Sequence, residues 1–295
     1  GRSLPGAKGV SLLRRVLSPA RYDALLRRRF AAADALDAIL GRRPDLVPPR
    51  RLMFMGTPDY VAVGDEFLGH FRALGKLEPH HRVLDAGCGI GRMARPLTAF
   101  LDERGRYEGF DVDAAGVAWC ARHVTPRFPR FRFTRVDVRN DRYNPKGRVL
   151  PSELRFPYAD ASFDFVFLTS VFTHMLPADV DRYVAESGRV LAPGGRLFST
   201  WFLRNAESER LLAGGRARLP IPHELDGCRV LDPAVPGDAI AIPEERMLRG
   251  LAAAGLEPEA VRYGAWSGRA ESLTFQDVVV ARKPEGVPAA AAVAE

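Results

Sequence analysis

The stretch "HRVLDAGCGIGRMARPL", residues 81–97, decides how this chain folds. Three alternate glycines, Gly87, Gly89 and Gly91, stand directly behind an apolar run that closes on Asp85. Val83 and Leu84 read as the end of a buried strand, and Met93 to Phe100 as the start of a helix. The glycines therefore occupy a strand-to-helix turn, where a backbone without side chains lets a ligand come close. A dinucleotide turn reads GxGxxG, but the position three after Gly89 is Arg92, so the pattern here is DxGxGxG. No GxxxxGK[ST] loop is present, and a pyrophosphate binder is disfavoured at this turn.

Outward from the turn, strands and helices alternate. Strands are expected over 82–86, 106–111, 131–137, 163–169 and 196–202, with helices near 92–101, 114–123 and 178–190 between them. This alternation predicts a doubly wound α/β fold with a parallel sheet. After an irregular stretch at 203–243, a helix over 244–254 and strands over 258–263 and 274–281 complete the pattern. Upstream, residues 11–40 read as helical, "GRRPDLVPPR" at 41–50 as a linker, and 60–75 as an amphipathic helix. The domain expectation is a basic helical N-terminal extension over 1–51 and a ligand-binding domain over 52–283. Within that domain 203–243 forms an insertion, and a disordered tail follows over 284–295.

A chain of 295 residues with 46% hydrophobic and 27% charged residues has a globular composition. No apolar run reaches the roughly 18–20 residues of a membrane span. Arginines interrupt the apolar residues near the start before a secretory core can form. Cys88, Cys120 and Cys228 form no CxxC pair, so neither a disulfide framework nor a metal site is expected, and a reducing cytoplasm fits best. The net charge of +7 is concentrated at one end: residues 1–51 hold 12 basic and 4 acidic residues, the remainder 31 and 32. That segment reads either as a solvated or lid-forming helix, or as a surface for phosphate or anionic lipid.

"VLDAGCGIGR" resembles the first motif of class I S-adenosylmethionine-dependent methyltransferases, of the small-molecule type 11/12 kind, and further segments agree in order and spacing. The resemblance is strong over about residues 60–202. It implies a Rossmann-like seven-stranded sheet whose last two strands form an antiparallel hairpin. It also implies S-adenosyl-L-methionine as cofactor and S-adenosyl-L-homocysteine as product. "GFDVD" is similar to the family's second-strand end, which gives Asp111, beside Val112, the ribose hydroxyls. "RVDVRN" is similar to the segment that takes the adenine amino group, which falls to Asp137 with Val138. Asp85, Gly87, Cys88, Gly89 and Gly91 would face the methionyl part, with Asp85 receiving its ammonium, and Leu168 closes the fourth strand. Asp113 reads as a helix cap.

For the acceptor, His174 in "SVFTHM" follows strand four at the mouth of the expected site. It is the candidate general base, with a packing role as the alternative. His223 and Glu224, in the 203–243 stretch, and Tyr60 are candidate substrate contacts. The segment after strand four reads "LTSV", not the [ND]PP[YF] of amino-directed DNA methyltransferases, and no Pro-Cys dipeptide supplies a cytosine nucleophile. DNA is therefore not an expected partner. Ser170 and Thr173 stand where metal-dependent relatives place acids. The expectation is O-methylation of a sugar, glycan precursor or secondary metabolite. An RNA methyltransferase using the basic arm and a non-catalytic cofactor-binding module are the alternatives, and contact with an anionic membrane surface or a homodimer stays open.

Overall fold

The computed structural model describes residues 30–37, 39–53, 59–141 and 143–285. The chain divides into two compact units, residues 1–63 and 64–295. In the first, residues 30–37 are helical, and the expected helix over 11–29 lies outside the described residues. The buried Asp34 carboxylate accepts the backbone N–H groups of Arg50 (2.7 Å) and Arg51 (3.2 Å), while Arg50 pairs with Asp37 at 2.9 Å. The 41–50 segment is therefore tied back onto that helix.

The second unit is built on a seven-stranded sheet. Its strands in chain order are β1 (Arg82–Ala86), β2 (Arg106–Asp111), β3 (Phe131–Arg135), β4 (Phe163–Leu168) and β5 (Leu191–Trp201), followed by β10 (Glu257–Arg262) and β11 (Asp277–Arg282). The spatial order is β10-β11-β5-β4-β1-β2-β3. The first five are parallel, and β11 runs antiparallel between β5 and β10, as the sequence resemblance implied. Helices α1 (Tyr60–Ala73), α2 (Ala94–Phe100), α3 (Ala114–His123) and α4 (Pro177–Val190) surround the sheet.

Alternation along β1 distributes the core. Leu84 and Ala86 join one apolar cluster with Phe110, Val166, Leu168 and the α4 residues Val180, Tyr183 and Val184. Val83 and Asp85 point to the opposite face, since strand side chains alternate. There α1 supplies Phe71, whose ring lies 4.6 Å from Phe167 and 4.9 Å from Phe198. The apolar runs "FDFVFL" and "RLFSTW" are buried on both faces, which is why they lack polar alternation.

The stretch 203–243 differs from the irregular segment expected. It holds α5 (Ala206–Ala213) and a small four-stranded sheet of order β6-β9-β8-β7, built from β6 (Leu203–Arg204), β7 (His223–Leu225), β8 (Cys228–Val230) and β9 (Ile240–Pro243). Strands of two to four residues carry too few alternations to register as a period. A cap and paired charges hold the piece together instead. Asn205 and Ser208 form a capping box at the start of α5. Arg204 and Arg229 ion-pair with both Glu209 and Glu224 at 2.6–3.0 Å. Helix α6 (Glu244–Ala253) then leads to the terminal hairpin.

Candidate active site

The carboxyl ends of the parallel strands converge where β1 lies between β4 and β2, the place where doubly wound sheets bind ligands. The three glycines all adopt left-handed backbone there, with φ of 101° at Gly87, 51° at Gly89 and 78° at Gly91. This conformation is what the alternate-glycine spacing encodes. At Gly87 a Cβ would sit 2.4 Å from Val171 Cγ2, so the turn after β4 rests directly on the glycine turn. At Gly89 the nearest atom to a built Cβ is Asp111 Oδ2 at 4.0 Å, which leaves an open cradle beside that carboxylate. The N–H groups of Gly87 and Cys88 donate to the Phe110 carbonyl at 2.9 and 3.0 Å, clamping the turn over the end of β2.

Asp85 is 1% exposed. Its Oδ2 accepts from the Tyr107 hydroxyl at 2.7 Å, whereas Oδ1 has no hydrogen-bond partner. Burial pushes this carboxyl up to about 8, with the Tyr107 hydrogen bond pulling down and the Asp111 charge pushing further up. A buried acceptor left unmade is costly and calls for a donor. A cationic donor would satisfy Oδ1 and return the group to its ionised form.

Asp111 accepts the Gly89 N–H on Oδ2 at 2.7 Å and the Asp113 N–H on Oδ1 at 2.8 Å, and burial raises its pKa. Each oxygen keeps a second lone pair. Asp113 caps α3, accepting from the Ala115 N–H at 3.0 Å, and Val112 packs against the core. The Val136 N–H donates to the Asp111 carbonyl at 3.0 Å, which carries the following Asp137 and Val138 alongside. Val138 is buried. The Asp137 carboxylate is engaged by Arg148 Nε (2.6 Å) and Asn144 Nδ2 (3.2 Å), and the Arg148 bond holds it below the usual carboxylate range. Arg148 is 87% exposed, so solvent screens the pair and a competing donor can exchange with it.

Leu168 ends β4 fully buried. Ser170 then adopts φ 57°, which costs a non-glycine residue roughly 1–2 kcal/mol. Its N–H donates to Thr200 Oγ1 at 2.7 Å, and its hydroxyl bonds Gln276 Oε1 at 3.1 Å. A 3-10 turn over Phe172–His174 follows. Phe172 stacks on Trp201 at 4.2 Å and anchors the turn, while His174 is exposed and its Nδ1 lies 2.8 Å from the Gly237 carbonyl oxygen. A carbonyl only accepts, so Nδ1 carries the proton and a neutral ring has its lone pair on Nε2.

The remaining candidates are His223, Glu224 and Tyr60. His223 and Glu224 are exposed on β7, and the Glu224 carboxylate belongs to the ion network with Arg204 and Arg229. Tyr60 is the first residue of α1 and falls in the first unit. The 203–243 segment meets His174 through the Gly237 carbonyl. Besides Gly237, sequence reasoning missed Tyr107. Its position was legible in the period of two along "RYEGFD": Tyr107 and Gly109 share a face, and Gly109 lacks a side chain where a Cβ would meet the Tyr107 hydroxyl oxygen at 2.9 Å. That slot lets the phenol reach Asp85. Among the described residues no group of three or more His, Cys, Asp or Glu is placed to hold a metal ion.

Residues 84–199 match the family model for a methyltransferase domain. A 123-residue segment is 34% identical to the methyltransferase GfsG of Streptomyces halstedii, covering 40% of this chain and 36% of that protein. The match thus spans about a third of the curated relative's length. The solved [4+2]-cyclase SpnF superposes with a TM-score of 0.50 at 22% identity, over 75% of this chain and 81% of that one. A solved S-adenosylmethionine-dependent methyltransferase from Mesorhizobium loti gives 0.51 at 19% identity, over 74% and 97%. These structural likenesses show the fold. Residues 84–199 are thus similar to methyltransferase domains in sequence, and the sheet around them has the fold of the solved methyltransferases.

Proposed function

We propose that this chain methylates a hydroxyl group of a small molecule, with a sugar, glycan precursor or secondary metabolite as the acceptor class. The observation that carries the reading is Asp85: a fully buried carboxylate with an unpartnered oxygen, set at the head of an alternate-glycine turn. S-adenosylmethionine fits these residues, and when bound it supplies a methyl group activated on a sulfonium. Asp85 Oδ1 would take its ammonium, the free lone pairs of Asp111 its ribose hydroxyls, and Asp137 its adenine amino group in exchange for Arg148. His174 would accept the acceptor's hydroxyl proton at Nε2, the Gly237 carbonyl holding the ring in that tautomer. A reducing cytoplasm suits the three free, buried cysteines.

The solved cyclase on the same fold is a reminder that architecture alone fixes no reaction. The test is incubation of the full chain with methyl-labelled cofactor and a panel of hydroxylated acceptors, reading S-adenosylhomocysteine. Label in at least one acceptor supports the reading. Cofactor binding without transfer to any acceptor points to a silent binding module. Transfer to RNA alone, lost steeply with salt, points to the excess charge of residues 1–51 as a nucleic-acid arm.

A further inference from the structure

A cleft lies at the opposite edge of the sheet from the glycine turn. It has a volume of about 430 Å³ and is lined by Arg82, Arg104, Arg106, Arg130 and Arg132, with His80, Pro129, Glu108 and Asp164. We propose that this cleft, where β1, β2 and β3 begin, binds a compact phosphate polyanion of the diphosphate class. The proposal is independent of the methyl-transfer reading.

Five guanidiniums face two carboxylates, an excess of three positive charges. Asp164 is already spent on Arg82, accepting Nε at 2.9 Å, Nη2 at 2.6 Å and the backbone N–H at 2.8 Å. Arg104 leans on Asp102 at 3.4 Å. Among the described residues the side chains of Arg106, Arg130 and Arg132 have neither ion pair nor hydrogen bond. Glu108, the other acid of the lining, is the register partner of Arg132, and its pKa is raised by burial against the opposing pull of Arg132 and Arg106.

Arg82 on β1 is paired directly with Arg106 on β2. Like charges opposite one another destabilise a sheet unless something compensates them. The backbone holds them there regardless. The Arg106 N–H donates to the His81 carbonyl at 3.3 Å, the Asp102 N–H to Pro79 at 2.9 Å and the Tyr107 N–H to the Arg130 carbonyl at 3.0 Å. The tight turn before β2 fits because Gly105 has no Cβ, which would lie 2.4 Å from the Pro79 carbonyl oxygen. The cleft is thus assembled on strand starts rather than on loose loops.

Guanidinium forks match the oxygens of phosphate in pairs, and several converging on one concavity suit adjacent phosphates better than one. The His80 imidazole is the only ring among the lining residues besides Pro129. A row of nucleobases would find no stacking platform, so the cleft suits a compact anion rather than a single strand.

The probe is inorganic pyrophosphate, titrated into the full chain with S-adenosylhomocysteine present, and orthophosphate as comparison. Binding is expected, tighter for pyrophosphate than for orthophosphate and weakening as salt rises. Arg106→Gln with Arg132→Gln should weaken it by about ten- to a hundred-fold, the loss of two charge-assisted contacts. Both residues are exposed, so the double variant should keep the unliganded melting temperature or raise it by relieving repulsion. Arg249→Gln, on the exposed face of α6, should change nothing. No binding to the wild-type chain overturns the proposal, and so does equal binding by the double variant. Equal affinity for the two phosphates overturns the diphosphate assignment.

Discussion

Strands β1, β2 and β3 begin and end differently. At their starts stand Arg82, Arg106 and Arg132, and at or just past their ends Asp85, Asp111 and Asp137. The two edges also differ in burial. The guanidiniums of Arg106 and Arg132 are exposed and have no hydrogen-bond acceptor among the described residues, whereas Asp85 is sealed in and Asp111 largely so, each bound to donors of the fold. Buried acceptors with incomplete partners select a particular donor geometry, while exposed cations attract anions at longer range through their charge. The carboxyl edge thus suits a ligand of defined donor geometry, and the amino edge suits a polyanion.

The largest effect should come from His174→Ala. A general base of this kind contributes about 10²- to 10⁴-fold in rate, so kcat should fall by that much while cofactor affinity holds. A few-fold change, or one explained by a lower melting temperature, returns His174 to a packing role. Next comes Asp111→Ala, which should weaken cofactor binding by about 1–3 kcal/mol, the loss of hydrogen bonds to a charged group. Calorimetry with unchanged affinity would remove Asp111 from the site. Changes at the amino edge, such as Arg130→Gln, should leave both quantities unaltered; an equal loss there would erase the distinction between the edges.

A smaller effect concerns stability. The Asp85 carboxyl sits at about 8 in the folded chain against an ordinary 3.8. Between those values the folded state keeps a proton that the unfolded state releases. Unliganded stability should therefore fall as pH rises from about 4 to about 8, reaching its lower level above that. Asp85→Asn should flatten much of that slope. Asp277, buried and raised to about 6, adds a fall of the same sign that ends lower and survives the substitution. A variant with the wild-type slope would contradict the burial argument. The smallest effect belongs to Arg148→Ala: its exposed pair with Asp137 should yield cofactor affinity equal to or slightly above wild type.

The sheet was legible because its signals are long and local. "RVLDAG" and "FDFVFL" are apolar runs and "RYEGFD" an alternating one, each closed by a turn, and the structure places β1 and β2 on the residues read for them. The glycine turn was legible for the same reason, since alternate left-handed backbone requires glycine at alternate positions. The small sheet was not legible, because strands of two to four residues draw their stability from distant charges such as Arg229 and Glu209. Nor could the sequence show that Gly237, 63 residues past His174, supplies its ring with an acceptor. That contact depends on how the insertion returns to the sheet. The arginine edge went unread because Arg82, Arg106, Arg130 and Arg132 are scattered along the chain. Only strand register gathers them.

The most direct test of the carboxyl edge is proton release on ligand binding. S-adenosylhomocysteine is titrated at pH 7 in two buffers of different ionisation enthalpy, into the wild-type chain and into Asp85→Asn. If Asp85 receives the ammonium, its raised carboxyl must ionise on binding. The wild-type chain should then release close to one proton, and the variant should bind more weakly and release none. Binding of equal strength in the two proteins, with no difference in protons released, would contradict the assignment of Asp85 and with it the account of this edge.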